Sequence, residues 1–399
     1  MQTTNHHDED HHQHHDDKPP RGKKPPKQHA SFTALTSFVS SHPPSTPSPP
    51  PSIPSKLRYD LYGTFLLLPP TTPLSTPSWT TYISTLPSKD QELLYSTLAS
   101  VLNATHIAIN APIPAKQTAD GNLIRAPKIT PLHGDFGDVN STDFDGVFWA
   151  STVQHGIYQT WCPLHTMFSR GNITEKQRLY ELVSSQLSSP TSSPDVPTQV
   201  GGRGRRKRKV AAVDLFVGIG YFAFSYLKAG VDAVYGWDIN TWSTEGCKRG
   251  AIANKWPVSM PSRGESGDVD EPEPRLVIFE ESNVYAVERI QWLKGCIKRE
   301  GKEWPHIMHV NLGLLPTSSA AYGIAIEILK SNDRREEAWV HVHENVAKED
   351  VEVMKGSILE RVGVLVGDSG MVNCDHVEFV KSWAPGVWHC VFDIRITPL

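Results

Sequence analysis

From residue 210 to the C-terminus, short apolar runs alternate with longer amphipathic segments. The runs fall at 210–217, 233–237, 276–279, 307–312, 339–343, 376–380 and 387–396. Strands separated by helices make βαβ units, which place a largely parallel sheet between two helical layers. The last two runs are joined through Ala384-Pro385-Gly386 with no helix between them, which predicts an antiparallel terminal hairpin. The expected fold is α/β: a Rossmann-like sheet of seven strands whose ligand crevice lies beyond the carboxyl ends of the first strands.

The first half of the chain reads differently. Residues 1–55 hold eleven of the 32 prolines and a His/Asp cluster at 6–17, with few apolar positions, and predict a disordered tail. Residues 56–145 predict a small α/β N-terminal domain, from an extended run at 59–68, a helical pattern at 89–102 and a short run at 105–109. The catalytic domain is expected over 146–399. It opens with two strands, 147–152 and 157–162, turning at Gln154-His155-Gly156. A helix is expected near Thr174, where Thr174-Glu175-Lys176-Gln177 has capping-box form. Two disordered inserts are expected, a Ser/Pro/Gly linker near 188–209 that ends in a basic run, and an acidic stretch near 261–274.

At 399 residues and 38% hydrophobic, the chain can bury a sizeable core across two or three domains. Its best unbroken apolar stretch, 61–68, stops at Pro69-Pro70, so no membrane segment is expected. The N-terminus lacks the apolar segment of a secretory signal. Cys162, Cys247, Cys296, Cys374 and Cys390 form no C-x-x-C pair, which argues against a disulfide framework and a cysteine zinc site and for a reducing, intracellular compartment. The cluster at 6–17 lacks fixed geometry and is read as disorder, so no metal is expected.

Candidate chemistry concentrates where the first strand ends, in AVDLFVGIGYF at 212–222. Gly218 and Gly220 let the backbone turn sharply and approach a ligand. Gly218-x-Gly220-x-x-Ala223 by itself also fits a dinucleotide fingerprint. Asp214 is a charge inside an apolar strand, costly unless it binds something. Asp238 closes the second strand, placed to accept both ribose hydroxyls of a nucleoside. Ser282 and Asn283 follow the third strand, where an adenine edge needs a polar partner, and the fourth strand ends in Asn311. An ordinary βαβ turn with solvated acids is the plainer alternative.

Taken in order, 214–221, Asp238-Ile239-Asn240, Ser282-Asn283, HVNLGLLP at 309–316, HVHENV at 341–346 and VKSWAPGVWHCVFDI at 380–394 resemble class I AdoMet-dependent enzymes acting on tRNA position 37. Within that group the chain is most similar to the eukaryotic wybutosine-synthesis family of tRNA(Phe) 4-demethylwyosine C7 aminocarboxypropyltransferases. Met167-Phe168-Ser169-Arg170-Gly171-Asn172 strengthens the likeness, which runs from about residue 57 to the C-terminus. Two positions depart from the family pattern: Asp238 stands where a Glu is frequent, and Gly386 where a His is frequent.

The resemblance implies AdoMet as co-substrate, with Ser169, Lys176, Asp238, Ser282 and Asn283 as contacts beside Asp214, Gly218 and Gly220. It implies the anticodon loop of tRNA(Phe) as partner and transfer of the 3-amino-3-carboxypropyl group. Asn311, His343 and Glu344 are the substrate-facing candidates, and no general base is assigned. Trp149, Trp161, Trp383 and Trp388 could stack on an anticodon base, but each alone fits core packing better. The run Arg203, Arg205, Arg206, Lys207, Arg208 and Lys209 suits tRNA phosphates, a nuclear address or a solvated linker. A cytoplasmic location, or a nuclear one if that run is an address, is expected. The alternatives are a tRNA guanine-37 N1-methyltransferase on the same sheet, an NAD-dependent dehydrogenase, and a catalytically inactive tRNA-binding module.

Overall fold

A computed structural model describes residues 29–44, 49–110, 127–188, 209–261, 274–333 and 335–398. The His/Asp cluster at 6–17, the basic positions 203–208 and most of both expected inserts lie outside the described residues.

Helix α1 (Ala30–Ser41) comes first, then strands β1 (Asp60–Tyr62) and β2 (Phe65–Leu68), helices α2 (Pro77–Thr85) and α3 (Ser88–Val101), and strands β3 (His106–Asn110) and β4 (Ile129–His133). The four strands lie in sequence order, with β2 and β3 parallel and the outer pairs antiparallel. Helix α1 corrects the expectation of disorder throughout 1–55. Its Leu35, Phe38 and Val39 share one helical face and are buried with Leu66, Leu68, Trp79, Leu94 and Leu98. The prolines that dominate the averaged composition flank this helix, so the average hid a local amphipathic period.

Strands β5 (Ala150–Gln154) and β6 (Ile157–Trp161) form the expected hairpin. Its turn residues His155 and Gly156 both have positive φ, 49° and 70°, as a two-residue hairpin turn of matching twist requires. Helix α4 (Ile173–Ser188) runs on from a single 3₁₀ turn at Arg170–Asn172. Thr174 therefore lies inside the helical segment rather than capping it, a correction to the capping-box reading.

The main sheet follows with β7 (Val210–Asp214), α5 (Ala223–Ala229), β8 (Ala233–Asp238), α6 (Thr241–Ala253), β9 (Val258–Ser259) and β10 (Leu276–Glu280). Then come α7 (Ala286–Arg299), β11 (His306–Leu312), α8 (Tyr322–Lys330), β12 (Ala338–Ala347), α9 (Val351–Val366), β13 (Gly370–Ala384) and β14 (Val387–Pro398). The order is β13-β14-β12-β11-β7-β8-β10-β9. All pairs from β12 to β9 are parallel, while β14 joins β12, and β13 joins β14, antiparallel. The sheet has eight strands rather than seven because β9 pairs over only two residues, too few to leave a periodic signal. Strand β7 is buried along its whole length, which is why its sequence reads as an unbroken apolar run.

Leu179 and Val183 of α4, Tyr226 of α5 and Cys247 of α6 pack on one face of this sheet. Ile290 of α7, Ala325 of α8 and Ile358 of α9 cover the other. Tyr62, Phe65, Phe136, Ala150, Trp161 and Ile219 form a further cluster that carries the N-terminal sheet onto the glycine loop. An ion pair between Arg170 and Asp60 closes the same junction. Burying each large side chain there contributes about 1.5–3 kcal/mol, so the loop is anchored from outside its own βαβ unit. Among the described residues no helix is long and apolar enough to cross a membrane.

Candidate functional site

The loop leaving β7 is tied to both neighbouring strands. Leu215 N–H donates to Asn311 O at 3.1 Å and Val217 N–H to Trp237 O at 2.8 Å. Gly218 and Gly220 have φ of 51° and 87°, in the left-handed region. A Cβ on Gly220 would lie 2.5 Å from the Phe224 ring, so the loop needs glycine there for space as well. Asp238, half-buried at the end of β8, accepts Gly218 N–H on one oxygen and Asn240 N–H on the other, each at 2.9 Å. Each oxygen keeps a further acceptor position, and burial pushes the carboxyl pKa up. Asn283 Nδ2 donates to Leu215 O at 2.9 Å, and Ser282 Oγ accepts Val284 N–H at 3.4 Å. Gly218, Gly220, Asp238, Ser282 and Asn283 are thus brought to one crevice at the carboxyl ends of β7, β8 and β10, whereas the Asp214 carboxylate is fully buried and does not line it.

Beneath it lies a buried polar column. Asp214 Oδ1 accepts Phe216 N–H and Asn311 Nδ2–H, both at 3.2 Å, while its Oδ2 has no partner. Burial pushes this carboxyl up to about 7, partly offset by those two donors. With its amide nitrogen turned to Asp214, Asn311 offers Oδ1 to His343 Nε2 at 3.3 Å. His343 Nδ1 then accepts from His389 Nε2–H at 2.9 Å, which leaves a bare lone pair on His389 Nδ1. Burial holds His343 well below the usual imidazole range, reinforced by His389.

Asn311 and His343 are therefore engaged with each other, at 0% and 1% exposure. Glu344 points to the opposite face of β12, where its Oε1 accepts from Thr317 Oγ1 at 3.0 Å, Ser318 N–H at 3.2 Å and Tyr322 Oη–H at 2.9 Å. That arrangement fastens a loop and corrects the expectation that Glu344 faces substrate: strand alternation sends 343 and 344 to opposite sides.

A second column, missed in the sequence, runs alongside. His309 Nδ1 meets His341 Nε2 at 3.1 Å, and His341 Nδ1 meets Asp393 Oδ1 at 2.7 Å. Arg178 bridges Asp393 and the buried Glu175. The signal was there in the period-two spacing of His309 and Asn311 on β11 and of His341 and His343 on β12, which aligns polar groups on one face.

Ser169 and Lys176 form the other half of the site. Tyr221, next to Gly220, joins them to the crevice: its hydroxyl donates to Met167 O at 2.6 Å and accepts Ser169 N–H at 3.0 Å. Lys176 is 4% exposed, and its Nζ donates to Gln154 Oε1 at 2.5 Å and Gln159 Oε1 at 2.7 Å. The ammonium also lies 5.3 Å from the Phe168 ring centroid and 5.4 Å from that of Tyr221. No carboxylate pairs with it among the described residues. Burial, and then the nearby Lys381, bring its pKa down to about 7. An ammonium held by neutral oxygens and ring faces suits an incoming anion. Trp161 is core, stacked on Phe168 at 4.2 Å, whereas Trp383 is exposed. Among the described residues, no group of three or more His, Cys, Asp or Glu side chains is placed to hold a metal ion.

No protein-family model matches the chain. It is 35% identical over 357 residues to tRNA wybutosine-synthesizing protein 2 of Schizosaccharomyces pombe, covering 86% of this chain and 74% of that protein. The chain belongs to the tRNA wybutosine-synthesizing protein 2 family. The Saccharomyces cerevisiae member is 31% identical over 319 residues, 73% of this chain and 60% of its own length. Pyrococcus horikoshii TYW2, solved in complex with MeSAdo, superposes with a TM-score of 0.54 over 92% of this chain and 99% of its own, at 16% identity. The chain thus shares the fold of that Pyrococcus horikoshii protein. Membership in the wybutosine-synthesizing family makes this chain a transferase acting in tRNA modification and supports aminocarboxypropyl transfer; the methyltransferase alternative is the less supported.

Proposed function

We propose that this chain transfers the 3-amino-3-carboxypropyl group of AdoMet to C7 of 4-demethylwyosine at position 37 of tRNA(Phe), in the anticodon loop. The observation that carries the proposal is the buried Lys176 ammonium, which has no carboxylate partner among the described residues and is joined through Tyr221 to the glycine loop that ends β7. Asp238 accepts the two ribose hydroxyls, one on each oxygen already oriented by a backbone N–H. Ser282 and Asn283 line the adenine side, and Ser169 with Lys176 takes the methionine carboxylate.

The bound AdoMet supplies a sulfonium: a bond forms from C7 to the γ-carbon, the carbon–sulfur bond breaks with its electron pair going to sulfur, and methylthioadenosine leaves. The chain's part is orientation. By fixing the carboxylate end of the arm, Lys176 and Ser169 hold the γ-carbon rather than the methyl in line with the base. The C7 proton is lost afterwards to solvent water, since the histidines and carboxylates of the buried columns are closed off from the surface. The anticodon stem is gripped by the N-terminal domain and the basic run 203–209 together with the sheet, in a cytoplasmic or nuclear setting.

Incubation with AdoMet and tRNA(Phe) carrying 4-demethylwyosine tests the reading. The expected result is methylthioadenosine together with a base heavier by one aminocarboxypropyl group. S-adenosylhomocysteine with a methylated base would replace the proposal by the methyltransferase reading.

A further inference from the structure

Strand β13 is the edge of the main sheet, and its pairing with β14 slips between Phe379 and Lys381 and again between Ser382 and Ala384. Bulges of this kind re-aim a side chain. Here Lys381 is turned off the edge and over the 3₁₀ turn, where its Nζ donates to Ser169 Oγ at 2.8 Å. Its stem runs across Gly171, at which a Cβ would stand 2.6 Å from Lys381 Cδ. A glycine in the Met167–Asn172 motif thus leaves room for a lysine more than two hundred residues away in sequence.

Lys381 takes part in no ion pair among the described residues, and neither does Lys176. Burial lowers the pKa of both, and each of Lys176 and His389 is lowered further by the charge on Lys381. Two partly desolvated ammonium groups close enough to disfavour each other are costly unless an anion comes between them. Nearby, Gln159 spends its amide oxygen on Lys176 and leaves its buried Nε2–H without a partner, a donor of the kind a carboxylate satisfies.

We propose that Lys381 is a second cation of the carboxylate seat, so that the α-carboxylate of the AdoMet methionine arm is held between Lys176 and Lys381 with Ser169 as the hydroxyl that both orients and is oriented by Lys381. The proposal rests on the reading of Ser169 and Lys176 given above and adds a residue from the opposite end of the chain. Two cations converging on one carboxylate fix the arm's direction as well as its position, which a single ammonium on a flexible stem does not.

The test is calorimetric titration of Lys381→Met and Lys381→Arg, beside the unaltered full chain, with three ligands. AdoMet and S-adenosylhomocysteine carry the carboxylate; methylthioadenosine lacks it. Lys381→Met is expected to weaken both carboxylate ligands at least tenfold and to leave methylthioadenosine within twofold, which also reports that the variant is folded. Lys381→Arg is expected to restore most of the difference. An unchanged preference for AdoMet over methylthioadenosine in Lys381→Met, or an equal loss of all three ligands, overturns the proposal while leaving the Lys176 reading in place. If the unaltered chain itself shows no preference for the carboxylate ligands, the reading of the seat fails and this inference with it.

Discussion

The two halves of the site are built by different means. In the crevice, Asp238 is held by N–H groups of residues 218 and 240, and Asn283 holds the carbonyl of Leu215, so side chains and the turns they brace belong to consecutive βαβ units. In the seat, an ammonium from α4 meets amides from the β5–β6 hairpin and rings at 168 and 221, while a lysine from β13 reaches Ser169. The crevice is local and offers hydrogen-bond acceptors, as a nucleoside requires. The seat is assembled from remote segments and offers unneutralised positive charge, as a carboxylate requires. On the proposed function the division matters for catalysis: the crevice is the part that takes the nucleoside common to AdoMet and methylthioadenosine, and the seat is the part that sets which carbon faces the base.

The largest effect is expected in the crevice. Asp238→Ala removes the charged acceptor of two hydroxyls, a loss of about 2–3 kcal/mol, and should weaken AdoMet and methylthioadenosine alike about a hundredfold by calorimetry. A loss for AdoMet alone would erase the division between the halves. Next comes the joint between them. Tyr221→Phe deletes the hydroxyl that serves Met167 O and Ser169 N–H, and an expected cost of about 1 kcal/mol should appear as roughly fivefold weaker AdoMet binding. Methylthioadenosine binding should barely change, and equal weakening of both would place Tyr221 in the crevice instead.

The smallest effect concerns stability. Asp214 has a folded-state pKa of about 7, above its unfolded value, so between about pH 4 and 7 the native state holds a proton that the unfolded chain has released. Stability from this group is therefore full at low pH and is lost as pH rises through about 7. Asp214→Asn removes that dependence, and the melting temperature of the variant relative to the parent should climb between pH 5 and pH 8. A constant difference would mean that Asp214 is ionised in the fold at all these pH values.

What the sequence made legible follows the same division. The βαβ alternation, the terminal hairpin and the crevice residues could be read because each depends on local periodicity or on a strand–turn–helix signal a few residues long. Helix α1 was hidden by averaging over a proline-rich stretch, and β9 by its brevity. Glu344 lies on the face of β12 opposite His343 because successive strand positions alternate sides, which proximity to a strand end does not reveal. Gln154, Gln159 and Lys381 carried no local mark at all: their roles come from the hairpin turn at His155-Gly156 and from the β13 bulges, which only the folded chain brings to Lys176. The paired histidine columns lie between these cases, visible as period-two polar positions but with partners that only strand register assigns.

On the proposed function, the seat reads the carboxylate-bearing arm while the crevice reads the nucleoside. Lys176→Met tests it most directly, through the affinities for AdoMet and methylthioadenosine measured side by side. AdoMet binding is expected to be about thirtyfold weaker, corresponding to about 2 kcal/mol for one charge-assisted contact, with methylthioadenosine binding unchanged. Equal weakening of the two ligands, or no weakening of either, would contradict it.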